Sequence, residues 1–365
     1  MILQEYIHGL TGDAVQLLKE MIAIPSPSFM EDDVCSHISQ WMSERGLAHE
    51  RIGNNIVSEH IFDASAPTLL LCAHMDTVDP CEGYSFDPYC PTGCPDDMVC
   101  GLGSNDDGAS VVSMAAAYMY LCAHSHKNII LVITCEEERS GKGGMTGLWG
   151  SRICGRGEVM DGCTPVDHAI VGEPTGMKAA TSERGLLVID ATAHGVSGHA
   201  ARNEGKNALY IALEDIERLR GHEFARVSPK MGKVNLNVTQ IHAGSAHNVI
   251  PDRCDFVIDI RPTEQYTNEE ILGELQSFCS SELKPRNLEN RSSATREDSP
   301  LQRTAERLGI ETFSSATTSD WMRISCDAIK MGPGDSSRSH RKDEFVYVKE
   351  IEKGIRTYIE FILGL

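Results

Sequence analysis

LLLCAHMDTVDP, residues 69–80, carries an apolar run straight into His74, Met75 and Asp76, where the chain turns. A short apolar run closed by a turn signal reads as a buried strand. It raises the question of why a strand delivers an imidazole and a carboxylate, two positions apart, as it leaves the core. In open α/β sheets, ligand sites form beyond the carboxyl ends of the strands.

The flanking sequence supports such a sheet. Helical periodicity covers 13–24 and 31–45, and β-rich runs occupy 68–72, 128–134 and 168–171. Between the first two runs, ASVVSMAAAYMYLCAH (109–124) reads as a buried helix. Strand, helix, strand in this order predicts an α/β sheet with crossover helices.

The pattern then changes. Residues 184–194, 233–243 and 253–261 alternate as half-exposed strands, while 207–219 and 268–283 read as helices. This β-α-β-β-α order predicts a small open-faced sandwich. The polar stretch 284–300 reads as a return linker, followed by a helix at 301–308, a Gly-Pro-Gly turn and a final helix at 348–363. The expected organisation is a discontinuous first domain, 1–178 with 292–365, and a second domain, 179–291, inserted into it.

A chain of 365 residues is too long for one ordinary core. The formal net charge of −20 argues against nucleic-acid and anionic-membrane partners, which reward basic surfaces. The N-terminus lacks a basic n-region and an apolar h-region, and no stretch approaches the roughly 18 apolar residues of a membrane span. Thirteen scattered cysteines fit reduced thiols in a cytoplasm. Four of them, Cys81, Cys90, Cys94 and Cys100, crowd one segment with irregular gaps, which reads as free thiols in a hairpin rather than structural zinc.

Five segments put acids or imidazoles where strands of the first domain end: His74-x-Asp76, Asn105-Asp106-Asp107, Glu136-Glu137-Glu138, Glu173 and Ser339-His340. Each alone is ordinary; a run of glutamates is usually a solvated face. Converging on one edge, they require bound cations to offset the crowded charge. Imidazole with carboxylate points to zinc, or to cobalt or manganese. Asp76 would accept the far N–H of His74 and fix its tautomer. The Gly101-Leu102-Gly103 segment lacks the third glycine of a dinucleotide loop, so that alternative is set aside.

The motifs AHMDTV, GLGSNDDG, TCEEERSGKGG, VGEPTG, SGHAAR, HNVIPDRCDFVIDIRP and GPGDSSRSHRKDE run in order from about residue 70 to about residue 345. Together they resemble the M20 metallopeptidase family, in its acetylornithine deacetylase and succinyl-diaminopimelate desuccinylase branch. The resemblance implies a zinc-hydrolase α/β catalytic domain with an inserted ferredoxin-like α+β lid that forms a homodimer. It implies two divalent ions, zinc first, with cobalt or manganese as alternatives. His74 and Glu173 would hold one ion, Glu138 and His340 the other, and Asp106 would bridge them.

Glu137 would be the general base, with Asp76 orienting His74 in the same catalytic set, and His199 an oxyanion donor. Asn248 and Arg261 would hold a substrate carboxylate. Arg338 would accept an extra carboxylate, or else serve as a salt-bridge residue. The implied substrate is an N-acyl amino acid, N-acetylornithine or N-acetylcitrulline in arginine biosynthesis. An N-succinyl amino acid is the alternative, and a dipeptidase or carboxypeptidase comes third. A non-haem iron oxygenase triad also uses H-x-D, but it usually sits in an all-β barrel. A scaffold that had lost the reaction would be expected to lack ligands or the base. Three departures from the family pattern stand out: Glu136 replaces the usual Asp, Asp106-Asp107-Gly108 lacks the usual lysine, and CPTGCPDDMVC replaces a plainer hairpin.

Overall fold

The computed structural model describes residues 2–158, 161–202 and 204–365. The chain divides into two compact units. The first comprises Met1–Thr181, Ala294–Phe313 and Ser319–Leu365, and the second Ser182–Ser293 with Ser314–Thr318.

The first unit begins with α1 (Ile2–Ile22) and α2 (Asp32–Glu44), followed by β1 (Glu50–Ile52), β2 (Asn55–His60) and β3 (Thr68–His74). Next come β4 (Met98–Cys100), α3 (Ala109–His124), β5 (Asn128–Thr134), β6 (His168–Val171) and β7 (Ala179–Glu183). Every residue of β3 and β5 is buried, as expected for strands covered on both faces. Those two strands, β6 and the later strand Asp327–Lys330 run parallel.

Register decides where the chemistry sits. His74 pairs with Thr134, Cys72 with Val171, and Val171 with Lys330, so all four parallel strands end at one edge. Helix α3 lies against the sheet with small residues, and the C-terminal helix packs closely on it. At Gly354 of that helix a Cβ would sit only 3.1 Å from Ser113 Oγ, so glycine permits the approach.

The second unit contains β8 (Leu187–His194), β9 (Gly198–His199), α4 (Ala208–Gly221), β10 (Asn235–Ala243) and β11 (Val249–Ile250). It continues with β12 (Arg253–Arg261), α5 (Asn268–Gln276) and β13 (Glu282–Pro285). Its antiparallel sheet has the order β10-β12-β8-β13, a ferredoxin-like arrangement, and β8 and β12 alternate buried and half-buried residues. The helix expected over 268–283 is shorter than predicted. It stops at Gln276; beyond its end the buried Asp215 carboxylate accepts the Ser280 and Ser281 N–H groups, and Leu283 enters the core from an edge strand instead. The expected linker 284–300 also contributes β14 (Ser293–Ala294) to the large sheet.

Further along the chain come α6 (Pro300–Arg307), β15 (Thr312–Ser315), β16 (Asp327–Lys330), β17 (Phe345–Tyr347) and α7 (Val348–Gly364). The large sheet has the order β1-β2-β5-β3-β6-β16-β7-β14, with β15 paired to β7.

One expectation about the cysteines is corrected. Cys94 and Cys100 are joined in a disulfide with Cα atoms 6.2 Å apart, and eleven cysteines are free. The two meet because Pro95–Asp97 turns the chain back onto β4, whose Cys100 is buried opposite Phe345. Among the described residues, no helix is long and apolar enough to cross a membrane.

Candidate metal centre

His74 ends β3 fully enclosed. Its Nδ1 lies 2.9 Å from the main-chain oxygen of Asp76. A carbonyl oxygen can only accept, so Nδ1 carries a proton toward Asp76, and Nε2, facing the acids, is the ring atom that could bind a cation on giving up its own proton. Asp106 Oδ1 is 3.3 Å from Nε2.

The group that orients the ring is thus the carbonyl of Asp76 more than its carboxylate, which stands 3.5 Å away. The carboxylate has a different task. It accepts the Ser28 hydroxyl at 2.7 Å, the Glu137 N–H at 3.0 Å and the Glu138 N–H at 3.1 Å. One buried acid therefore aims both the imidazole and the two-glutamate turn that follows β5.

Asp106 hangs from the loop between β4 and α3, which Glu344 supports from below. The buried Glu344 carboxylate accepts the N–H groups of Gly103 (3.2 Å), Asn105 (2.9 Å) and Asp106 (2.9 Å). On the far side, His340 Nε2 lies 3.0 Å from Glu138 and 3.7 Å from Asp106. Two ligand sets result: His74, Glu137 and Glu173, and His74, Asp106 and Glu138, each with donor atoms within 4.8 Å of one another.

The protonation behaviour follows from this crowding. Burial, followed by neighbouring acids, holds the Glu137 and Glu173 carboxyls well above the usual range, although the buried Lys330 pulls Glu173 down. Burial also works upward on Asp106, but the hydrogen bond and charge of His74 outweigh it and lower its pKa. The hydrogen bond to Glu138 raises His340 to about 9. His340 therefore binds a proton among the carboxylates, at the place where a cation is needed. Nitrogen and oxygen donors clustered in this way fit zinc, cobalt or manganese, and the residues present fit a two-ion centre. Among the described residues these two sets are the clustered ligand groups.

Comparison with known proteins now bears on this geometry. The peptidase dimerisation domain family matches residues 181–287, and peptidase family M28 matches residues 55–158. A succinyl-diaminopimelate desuccinylase of Xanthomonas campestris pv. campestris is 27% identical, covering 94% of this chain and 96% of its own. An acetylornithine deacetylase of Aliivibrio salmonicida is 25% identical, covering 79% and 78%. The Bacillus subtilis YXEP protein, described as a dinuclear metal-binding peptidase of the M20 family, superposes with a TM-score of 0.70 at 14% identity, covering 98% of each chain.

The chain is similar to the M20 metallopeptidase family, in its succinyl-diaminopimelate desuccinylase and acetylornithine deacetylase branch. It is a metal-dependent hydrolase with the α/β fold and the dimerisation domain of that family.

Not every residue singled out from the M20 motifs joins the centre. His199 and Asn248 are neighbours in the second unit: β9 pairs with β11 so that His199 faces Val249, and Asn248 accepts the Ala200 N–H through its carbonyl. The Ala201 N–H donates to His199 Nδ1 at 3.1 Å, so the exposed ring presents Nε2–H outward. Arg261 lies at the other end of β12 and binds Asp259 through two nitrogens, at 2.9 and 3.1 Å.

Arg338 is the clearest departure. Its fork is closed on Glu350, at 2.7 and 3.1 Å, and stacks 4.5 Å above the Phe345 ring. It is a packed ion pair rather than an open carboxylate receptor.

Three acids went unassigned at the sequence level. Glu344 lay within a quoted motif. Asp107, beside Asp106, is buried with no hydrogen-bond partner for its carboxylate oxygens among the described residues, and burial pushes it up to about 8. Asp320 accepts the Thr134 hydroxyl at 2.7 Å behind the sheet and, through burial, rises to about 6. No local sequence pattern distinguishes Asp320 from an ordinary turn residue.

Proposed function

We propose that this enzyme hydrolyses the amide bond of an N-acyl amino acid, with N-acetylornithine or N-acetylcitrulline as the substrates to test first. The observation that carries the reading is the meeting of His74, Asp106, Glu138, Glu173 and His340 around Glu137 at one sheet edge. In this proposal His74 and Glu173 hold one divalent ion, Glu138 and His340 the other, and Asp106 both. When bound, such a pair supplies Lewis acidity and lowers the pKa of water.

The chain's own residues supply the remainder. Glu137, its carboxyl raised by burial, takes a proton from the attacking water and returns it to the departing amine. Asp76 fixes the backbone of Glu137 and Glu138 so that this carboxylate stays in place. His199 Nε2–H is a suitable donor to a developing oxyanion, with Asn248 beside it. Arg261 keeps Nη1 outside its pair with Asp259 and can share a substrate carboxylate.

The first unit then acts as the catalytic domain, and the inserted unit, 179–291 by the sequence reading, as lid and homodimer contact in a cytoplasmic enzyme. The closed Arg338–Glu350 pair favours an acyl group without a second carboxylate. N-succinyl substrates remain the second reading, favoured by the desuccinylase relative at 27% identity.

The test is a panel of N-acetylornithine, N-acetylcitrulline, their N-succinyl counterparts and a dipeptide, presented to zinc-, cobalt- or manganese-loaded protein. Preferential release of acetate supports the proposal. Cleavage of the dipeptide alone, or of nothing, contradicts it.

A further inference from the structure

The segment TCEEERSGKGG holds an acid that the proposed chemistry leaves without a task. Glu136 is a non-glycine residue with φ of 61°, in the left-handed region that side chains other than Asn and Asp seldom adopt. Strain of this kind persists only where the surroundings over-determine it, and it clusters at functional sites.

The surroundings of Glu136 are unusually complete. Its N–H donates to Oε1 of the buried Glu31 at 3.1 Å, and its carbonyl accepts the Gly141 N–H at 2.8 Å. Its carboxylate accepts the Gly143 N–H at 2.8 Å. The residue is therefore pinned at its nitrogen, its oxygen and the end of its side chain.

The glycines of Ser140-Gly141-Lys142-Gly143-Gly144 form the cradle. A Cβ at position 141 would meet Glu136 Oε2 at 2.1 Å, and one at 143 would meet Oε1 at 2.3 Å. A Cβ at 144 would strike the Cys135 carbonyl at 2.1 Å. Neither Gly141, Gly143 nor Gly144 has a positive φ, so room for the Glu136 carboxylate, not backbone freedom, calls for glycine at 141 and 143.

The bend at Glu136 also turns the chain from β5 so that the next two N–H groups, those of Glu137 and Glu138, both reach the Asp76 carboxylate. We propose that Glu136, clasped by the Gly141–Gly144 loop, is a positioning residue that aims the Glu137 carboxylate at the reacting water. The inference rests on the reading of Glu137 as general base and extends it one residue back along the chain. The longer acid at 136 reaches the loop amide, which ties the base to the loop.

The test compares Glu136→Ala, Glu136→Gln, Gly143→Ala and the Glu136→Ala/Gly143→Ala double variant with the parent and with Glu137→Gln. Each is measured for kcat, KM and metal stoichiometry on whichever member of the substrate panel the parent cleaves. Misplacing a catalytic group by about an ångström can lower turnover about a hundredfold. Glu136→Ala should therefore lose between about ten- and a hundredfold in kcat, with KM within about twofold and metal content unchanged. Glu136→Gln keeps an oxygen for the Gly143 N–H and should stay within about threefold of the parent.

Gly143→Ala leaves Glu136 in the sequence but displaces its carboxylate, so it should reproduce the loss. The double variant should be no worse than either single one, because both changes break the same contact. Should Glu136→Ala fail to fold, Gly143→Ala still reads the clasp. The inference is overturned if Glu137→Gln is inactive while Glu136→Ala and Gly143→Ala keep kcat within twofold. It is also overturned if Glu136→Ala loses metal, which would make it a support for Glu138. Full activity in Glu137→Gln would instead remove the base reading and the inference together.

Discussion

Replacing Asp76 by Asn changes one oxygen to an amino group and leaves the shape intact. The carboxylate is completely buried and receives three donors, the Ser28 hydroxyl and the Glu137 and Glu138 N–H groups. An amide oxygen on the side of Ser28 and Glu138 retains both of those donors, while the amino group faces the Glu137 N–H, from which it cannot accept. One hydrogen bond to a charged acceptor is lost, worth about 1.5–3 kcal/mol, so the variant should be less stable by about that amount. Domains are stable by only about 5–15 kcal/mol, so the change should be large in a urea titration of the metal-free protein.

The pH dependence has a definite sign. Burial raises the Asp76 carboxyl, but His74, Ser28 and the Glu137 N–H outweigh it, and the net pKa is lowered. The stabilisation it provides is therefore present above the unfolded value of about 3.9 and disappears as pH falls through the lower folded value. The gap between parent and variant should close in acid. Because Asp76 also fixes Glu137, kcat should fall at least about a hundredfold, the scale of general-base loss. A variant within about 0.5 kcal/mol of the parent and with unchanged kcat would refute the assignment.

Three further outcomes are expected. Arg338→Ala should lower the denaturation midpoint and leave KM for every cleaved substrate within twofold, since its fork is spent on Glu350; a KM rise confined to N-succinyl substrates would return it to the site. In metal-free protein, the raised pKa of His340, about 9, means its pairing with Glu138 stabilises fully below about pH 6.5 and is lost as pH rises through 9. His340→Gln should remove that alkaline decline in a melting-temperature series, and a decline identical in the variant would exclude this pair as its cause. Thiol titration under denaturing conditions should count eleven free groups, and thirteen after reduction; thirteen before reduction would rule out the Cys94–Cys100 bond.

Much of the first unit was legible because its signals are short-range. Apolar runs at 68–72 and 128–134 mark strands whose burial leaves few alternatives, and the turn after each releases the acids. The parallel register then brings His74, the Glu136–Glu138 turn and Glu173 together without further information. Long-range partners were not legible. Nothing near Arg338 in sequence reveals that Glu350, twelve positions on in the next helix, closes its fork.

Nor does local sequence show that Asp215 holds the Ser280 amide from 65 residues away, or that the Asp76 carboxylate holds two amides from the turn after the neighbouring strand. Cysteine spacing alone could not pair Cys94 with Cys100, because the turn that brings them together is set by the packing of β4 against β17. Local periodicity therefore places elements and strand ends, while ion pairs and caps that cross the chain need the fold.

The strand-end acids and imidazoles should be held together by divalent ions. Metal content after loading and gel filtration, measured by elemental analysis, tests it most directly. Two ions per chain are expected, and fewer in both His74→Ala and Asp106→Ala proteins that remain folded. Parent protein that retains no divalent ion, or an Asp106→Ala protein that retains both, would contradict it.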